Sequence, residues 1–335
     1  IREIGSNKAY RSATFDTYNI FNVYTTFTKT FNRHEVTALV GFNQEYNRSE
    51  WFKAERDNVI SGSLPTISLA TGEDYLDESI TDWAIRGVFY RLNYIFNNRY
   101  IVEFNGRYDG SSRFPKESRF GFFPSASVAW RIDQENFWSL DAINYFKIRT
   151  SYGSLGNQSV SNYGYIPNLQ ATTGNYIIDG RLPQRIIAPP LVSANYSWED
   201  VSTLNFGLDL GLWQDKLTFN FDIYQRNTKG MLTQGKDLPD VLGASEPREN
   251  AADLRTSGWE LGATFRHTVM LAGDPLNFDV RLALSDSRST ITKFDNPNGN
   301  LNQFYEGMDL GEIWGLTSDG MFASTEEVEA LDQSS

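Results

Sequence analysis

Residues 99–134 read RYIVEFNGRYDGSSRFPKESRFGFFPSASVAWRIDQ and contain two alternating runs around a glycine- and charge-rich loop. In the first run Tyr100, Val102, Phe104, Gly106 and Tyr108 share one parity, and Glu103, Asn105, Arg107 and Asp109 share the other. In the second, Phe120, Phe122, Ala126, Val128, Trp130 and Ile132 oppose Ser125, Ser127, Arg131 and Asp133. Side chains of a strand point to opposite faces with period two, so each run has an apolar wall and a charged, wettable wall. The fold turns on whether that apolar wall meets a second protein layer or a lipid bilayer.

Working outward, eight further segments carry the same signature, giving strands near 17–31, 35–47, 83–96, 99–109, 120–133, 145–156, 203–213, 216–228, 256–269 and 275–287. Helical periodicity is confined to a turn at Phe137–Ile143 and a C-terminal stretch where Ser324 and Glu327 have the spacing of a capping box. The connections alternate in length. Short ones (Asn32–Arg33, Asn97–Asn98, 134–144, Gln214–Asp215, Met270–Asp274) take turns with long ones (48–82, 110–119, 157–202, 229–255 and everything after 288). In an up-and-down meander that order puts every short turn at one end and every long loop at the other. Outer-membrane barrels sort their periplasmic turns and extracellular loops in this way, and a Greek-key sandwich has no reason to.

Aromatics and charges follow the same axis. Phe31, Phe96, Tyr100, Phe137, Trp138, Tyr145 and Trp213 cluster beside short turns, and Trp51, Trp83, Phe114, Phe120, Trp198 and Trp259 lie toward the long loops, as two interfacial girdles would. The faces Leu204–Leu212, Leu217–Ile223, Trp259–Phe265 and Leu276–Leu284 carry no charge, whereas their opposites hold Asp209, Asp222, Arg226, Glu260, Arg266, Asp279 and Arg281. Charge sorting suits a sandwich core as well as lipid, so loop asymmetry is what favours the membrane. Pro124 lacks an N–H and is expected at a bulge or near the loop end.

Composition closes off other classes. The 335 residues include 42 acidic and 30 basic, a net charge of -12, which leaves no basic excess to release counterions from nucleic acid. There is no cysteine, hence no disulfide framework or thiolate chemistry. A mean hydropathy of -0.44 and the lack of a long apolar run exclude a transmembrane helix but say nothing of a barrel, whose alternation averages out. His34 and His267 are far apart and read as structural or interfacial, not as a zinc pair. No nucleophile-elbow motif supports a hydrolase triad. The acidic runs Glu73/Asp74/Asp77/Glu78 and Glu326/Glu327/Glu329 read as solvated faces, and FDNPNGN (294–300) departs from the EF-hand spacing. Catalytic residues, metal ligands and cofactors are therefore not assigned.

Several motifs in order are similar to one family. RYIVEFNGRYDGSSRFPKESRFGFFPSASVAWRIDQENF (99–137), FKIRTSYGSLGNQ (146–158), YSWEDVSTLNFGLDLGLWQDKLTFNFDIYQRNTKGML (196–232), ENAADLRTSGWELGATF (249–265) and GEIWGLTSDGMF (311–322) together resemble the barrel of SusC/RagA-type TonB-dependent transporters of Bacteroidetes outer membranes. The resemblance covers most of 83–322 and implies a 22-stranded antiparallel transmembrane β-barrel with short periplasmic turns and long extracellular loops. About ten of those strands would lie here, so that 1–335 is a partial barrel whose plug domain, TonB box and final strands lie outside it. It further implies TonB-driven import of large nutrients, glycan or peptide, under a SusD-like lipoprotein. On such a transporter Tyr163, Tyr165, Tyr176, Arg181 and Trp198, with Arg185, would offer rings and guanidinium groups to substrate in an extracellular loop, or serve loop packing and lid contact instead. Glu103, Arg107, Arg131, Lys147 and Arg149 would face the lumen and the plug as a charge network. A passive porin and a soluble carbohydrate-binding β-domain are the competing readings.

Overall fold

A computed structural model describes residues 7–63, 65–187, 189–193, 196–235, 241, 246–318, 320–321 and 323–330. It holds twelve strands: β1 Lys8–Phe31, β2 His34–Asp57, β3 Asp74–Phe96, β4 Tyr100–Ser111, β5 Phe120–Arg131, β6 Ile143–Asn157, β7 Gln170–Thr173, β8 Gln184–Ile187, β9 Glu199–Leu212, β10 Leu217–Gln234, β11 Arg248–Leu271 and β12 Asp274–Lys293. Ten of them form one antiparallel sheet in the order β1-β2-β3-β4-β5-β6-β9-β10-β11-β12, a meander in which each strand pairs with its chain neighbour. β7 and β8 form a separate two-stranded hairpin inside the β6–β9 loop.

All ten expected strands are present, and the β1–β2 and β3–β4 turns use residues suited to them. Asn32 (φ 52°), Asn97 (φ 52°) and Asn98 (φ 55°) occupy the left-handed region that asparagine tolerates better than most side chains. The strands run further than the alternation suggested: β2 has 24 residues and β11 has 24, so much of 48–82 and 229–255 is strand. A strand with water on both faces needs no apolar parity, which is why its pattern is silent there. Of the helical expectations, Phe137–Ile143 forms no helix; a 3-10 turn at Ile132–Gln134 takes the corner instead. The C-terminal helix α1 (Thr325–Ala330) does form, with Ser324 Oγ accepting the Glu327 N–H at 3.3 Å.

Register fixes two faces across the whole sheet. Val102 sits opposite Tyr94 and Val128, Phe104 opposite Leu92 and Ala126, and Leu208 opposite Ile148 and Phe221. This wall has no second layer over it. Phe104 is 49% exposed, Val280 60% and Leu282 53%, and among the described residues only eight apolar ones are buried: Ala9, Val59, Ala70, Phe114, Ile132, Tyr196, Ala252 and Ile291. A soluble domain of this length would bury a contiguous core, so the sandwich reading fails and the apolar wall belongs to lipid.

The height of that wall fits a bilayer. Counted from the short turns, the apolar face runs His34–Phe42 on β2, Phe96–Val88 on β3, Leu217–Ile223 on β10 and Leu276–Leu284 on β12, then turns polar at Gln44, Arg86, Gln225 and Asp286. About nine residues at roughly 3.4 Å each, tilted by about 40°, rise some 23 Å, close to the apolar band of an outer-membrane barrel. The rest of each long strand stands above the membrane.

The turn-side girdle is a line of touching rings across five strands. Phe31 stacks on His34 (5.0 Å between centroids), His34 meets Phe96 (5.0 Å), Phe96 meets Tyr100 (6.3 Å) and Tyr100 stacks on Trp130 (6.4 Å). His34 also hydrogen-bonds the Tyr94 hydroxyl at 2.7 Å, an interfacial placement. Tyr145 is not part of the belt; it lies on the polar wall under Arg131. The outer girdle is thinner than expected. Phe120 and Trp259 are on the lipid wall, but Trp51 and Trp83 have polar-wall parity, and Phe114 and Trp198 pack inside the loops.

Pro124 sits opposite Gly106 in an unbroken β4–β5 register, without a bulge, while β5–β6 pairing begins only at Ser125. Its missing donor thus coincides with the end of one ladder, in the middle of the other. Gly106 in turn gives its space to the facing ring: a Cβ there would lie 2.6 Å from Tyr90 Cε1, an aromatic covering a glycine across the strands.

Phe104→Arg places a cation mid-height on the lipid wall and should cost about 2–4 kcal/mol, whereas Ser127→Arg, opposite Glu103 on the polar wall, should be tolerated. The yield of heat-modifiable, protease-resistant barrel in outer membranes measures both, and equal yields would contradict the assignment of faces.

Candidate functional site: the polar wall and the outer loops

The polar wall carries two separate charge groups. On β4, Glu103 accepts hydrogen bonds from Asn93 (3.2 Å) and Asn105 (2.8 Å), with Arg91 3.9 Å away. Arg107 grips Asp109 through two bonds of 2.8 and 3.0 Å and lies over the Phe89 ring at 5.4 Å. On β6, Lys147 pairs with Asp209 (2.9 Å), and Arg149 reaches Asp222 through two bonds of 2.7 and 2.6 Å while also touching Asp209 at 3.3 Å. Asn205 donates a further bond to Asp222 at 2.8 Å.

The reach of Arg149 is set by Gly207. Register places Gly207 on β9 between Arg149 on β6 and Asp222 on β10, and the guanidinium lies where a side chain at 207 would stand. Two cations and two carboxylates therefore neutralise one another across three strands. Between the two groups runs a groove of about 520 Å³ floored by Ser125, Ser127, Ser151 and Thr203, with Glu103 on one bank and Lys147 and Arg149 on the other. Arg131 joins neither group: it is bidentate to Asp133 (2.9 and 2.6 Å) and covers Tyr145 at 4.3 Å, at the turn end of the wall.

The loop residues also divide. Tyr163 is tied down, its hydroxyl accepting from the Asp82 N–H (2.9 Å) and donating to the Asp82 carboxylate (2.8 Å). Trp198 is packed against Phe114 (4.9 Å) and Phe123 (5.3 Å), and its indole N–H donates to the Arg119 carbonyl at 3.0 Å. Phe114 is fully buried, and Tyr196, which the motif reading passed over, completes this cluster. Arg113 stacks over Trp83 at 4.8 Å and binds Asn162 and the Gln158 carbonyl, stapling the same loop to the β4–β5 loop. Tyr165 is half-buried, whereas Tyr176 and Arg181 stand exposed on the connection between β7 and β8. So two of the five loop residues are structural pins. The signal for pinning was faint: an aromatic at the foot of a long loop looks the same whether it packs or binds.

This arrangement, a tall one-layer meander with a lipid wall, a polar wall and pinned outer loops, agrees with known proteins. The family model described as TonB dependent receptor-like, beta-barrel, matches residues 3–313. The chain belongs to this family. TonB-dependent receptor P3 of Formosa agariphila is 29% identical over 265 residues, which is 76% of this chain and 26% of that protein. TonB-dependent receptor SusC of Bacteroides thetaiotaomicron is 25% identical over 288 residues, 82% of this chain and 27% of that protein. In fold the chain is similar to the RagAB peptide transporter, with a TM-score of 0.75 at 24% identity over 85% of this chain and 31% of that one. The chain thus spans between a quarter and a third of the length of these relatives. It is an outer-membrane TonB-dependent receptor barrel segment.

At the periplasmic end of this TonB-dependent receptor barrel, the β5–β6 turn is an acid cluster held ionised. Burial opposes ionisation of Asp133, but bonds from Arg131, Gln134 and the Phe146 N–H outweigh it and hold its carboxyl at about 2. Glu135 is kept below the usual carboxylate range by hydrogen bonds from Tyr100 (2.6 Å) and Trp130 (3.0 Å), with Arg99 beside it. This ties the turn to the aromatic belt.

Two outcomes follow. Because the Asp133 pKa is depressed from 3.8 to about 2, its contribution is present above pH ~4 and is lost as pH falls through ~2; Asp133→Asn should remove at most about 2 kcal/mol at neutral pH and flatten acid unfolding in that window. Arg149→Leu strands Asp222, while Asp209 keeps Lys147, and should cost about 2 kcal/mol, less in an Asp222→Asn background; additive losses in this double-mutant cycle would show the pair uncoupled.

Proposed function

We propose that this chain is part of an active importer that carries large nutrients, oligosaccharides or peptides, across the outer membrane, driven through TonB and closed outside by a SusD-like lipoprotein. In this reading 1–335 supplies about ten strands of the barrel wall, and the plug and the remaining strands come from elsewhere in a longer protein. The observation that carries it is the polar wall. On β4, β6, β9 and β10 charges pair among themselves, at Arg149–Asp222–Asp209–Lys147 and at Arg107–Asp109, with a groove floored in part by hydroxyls between them. A wall of that kind presents hydrogen-bonding partners to a plug without leaving unpaired charge when the plug moves.

Glu103, Arg107, Lys147 and Arg149 then face the lumen, and Arg131 closes its periplasmic end. Above the membrane, Tyr176 and Arg181 are the groups exposed to meet a lid or a substrate, and Tyr165 is half-buried; Tyr163 and Trp198 serve by fixing the loop. The names of the relatives support TonB coupling, and a SusC relative and a fold shared with RagAB support a lid. Whether cargo is glycan or peptide is set by groups in the outer loops and the lid.

Uptake of a fluorescent oligosaccharide and a fluorescent peptide, each too large for passive diffusion, tests this in cells making the full-length protein. Transport of one of them should disappear when TonB is inactivated. Flux that persists without TonB and rises linearly with concentration would make the protein a passive pore.

A further inference from the structure

The wall is not level along its outer rim. β3 has 23 residues, but β4 has 12 and ends at Ser111, opposite Ile85. Above that point β3 keeps β2 on one side and, among the described residues, has no strand on the other. Even-numbered residues of β3 direct their backbone groups to this open side. The Ala84 N–H donates to Ser112 Oγ (2.9 Å), the Ala84 carbonyl accepts from the Ser112 N–H (2.9 Å), and the Asp82 N–H donates to the Tyr163 hydroxyl (2.9 Å). The next three positions, Ile80, Glu78 and Leu76, repeat that geometry with no partner among the described residues, and Leu76 is 82% exposed.

An unpaired row of alternating donors and acceptors is a template for another strand. Its chemistry is one-sided. Between Arg56 and Arg86 the chain has Asp57, Glu73, Asp74, Asp77, Glu78 and Asp82 but no lysine or arginine. Asp74 is engaged by Arg56 at 2.9 Å and Asp82 by Tyr163; Asp77 stands opposite Lys53 of β2, but that lysine is paired with Glu55, and among the described residues neither Asp77 nor Glu78 forms an ion pair. Two such edges would repel each other, and the same charge favours a basic strand. The lower end is shut: Ser112 and Tyr163 cap the last donors, so a segment seated here cannot slide along β3 into the wall. A stopped edge suits a fixed partner better than a travelling cargo.

We propose that the Leu76–Ile80 edge of β3 receives an extended, lysine- or arginine-bearing segment of the lid lipoprotein as an added strand. This rests on the lidded-importer reading given above. Backbone pairing supplies the attachment, Asp77 and Glu78 select a basic segment, and exposed Leu76 and Ile80 give its apolar side chains a surface.

Full-length protein, with and without its lipoprotein, is examined by hydrogen exchange at residues 76, 78 and 80. These amides should exchange freely without the lid and be protected in the complex. Ile80→Pro removes one donor from the open edge only and should weaken lid binding about tenfold with normal barrel assembly. Ser79→Pro, whose lost donor faces β2, should instead damage the wall. A nonapeptide of alternating lysine and valine should bind and compete with the lid, and its N-methylated twin should not. Edge amides already protected without the lid, a lid that binds without protecting them, or Ile80→Pro binding as wild type would each overturn the proposal while leaving the lidded importer intact. Displacement of the probe by imported peptide but not by the lid would make the edge a cargo site and overturn it too. If no lipoprotein associates with the full-length protein, the importer reading itself fails, and this proposal with it.

Discussion

Everything in this protein follows from the need to satisfy a backbone inside hydrocarbon. No water is available there to bond a free N–H or C=O, so the chain must cross as strands paired on both sides. Pairing in an unbroken antiparallel register fixes parity from one strand to the next, and parity decides which residues meet lipid. That is why Phe31, His34, Phe96, Tyr100 and Trp130, drawn from five strands, end in a single ring line. The small number of buried apolar residues is the same fact seen from the other side: the core of such a wall is the bilayer.

The polar wall obeys a second constraint, that charges removed from bulk water be paired. Glycine at 207 lets Arg149 cross β9 to Asp222, so a missing side chain is as much a part of the network as the charges. At the turn end, Arg131 and Asp133 do the same for a corner that would otherwise carry a half-buried carboxylate. At these two places the charges of the wall are matched within the sheet itself.

Above the membrane neither constraint applies, and the architecture becomes uneven. β1 to β3 and β11 run well beyond the apolar band, while β4 and β5 stop near its edge. The β6–β9 loop is folded down beside this gap and fastened by Tyr163, Arg113 and the Phe114–Tyr196–Trp198 cluster. Its β7–β8 hairpin is left standing free, and the upper edge of β3 is left open.

Period-two alternation and the alternating lengths of connections were enough to place all ten strands of the sheet, the lipid wall and the charged residues of the polar wall. Those are local properties, and lipid enforces them residue by residue. What the linear order of residues could not decide was the extent of the strands above the membrane, where water on both faces erases the parity signal. Nor could it separate the pinned Tyr163 and Trp198 from the exposed Tyr176 and Arg181, or show that Gly207 clears the path of Arg149. Those outcomes depend on which strand stands opposite which, and distant segments meet only when the sheet has formed.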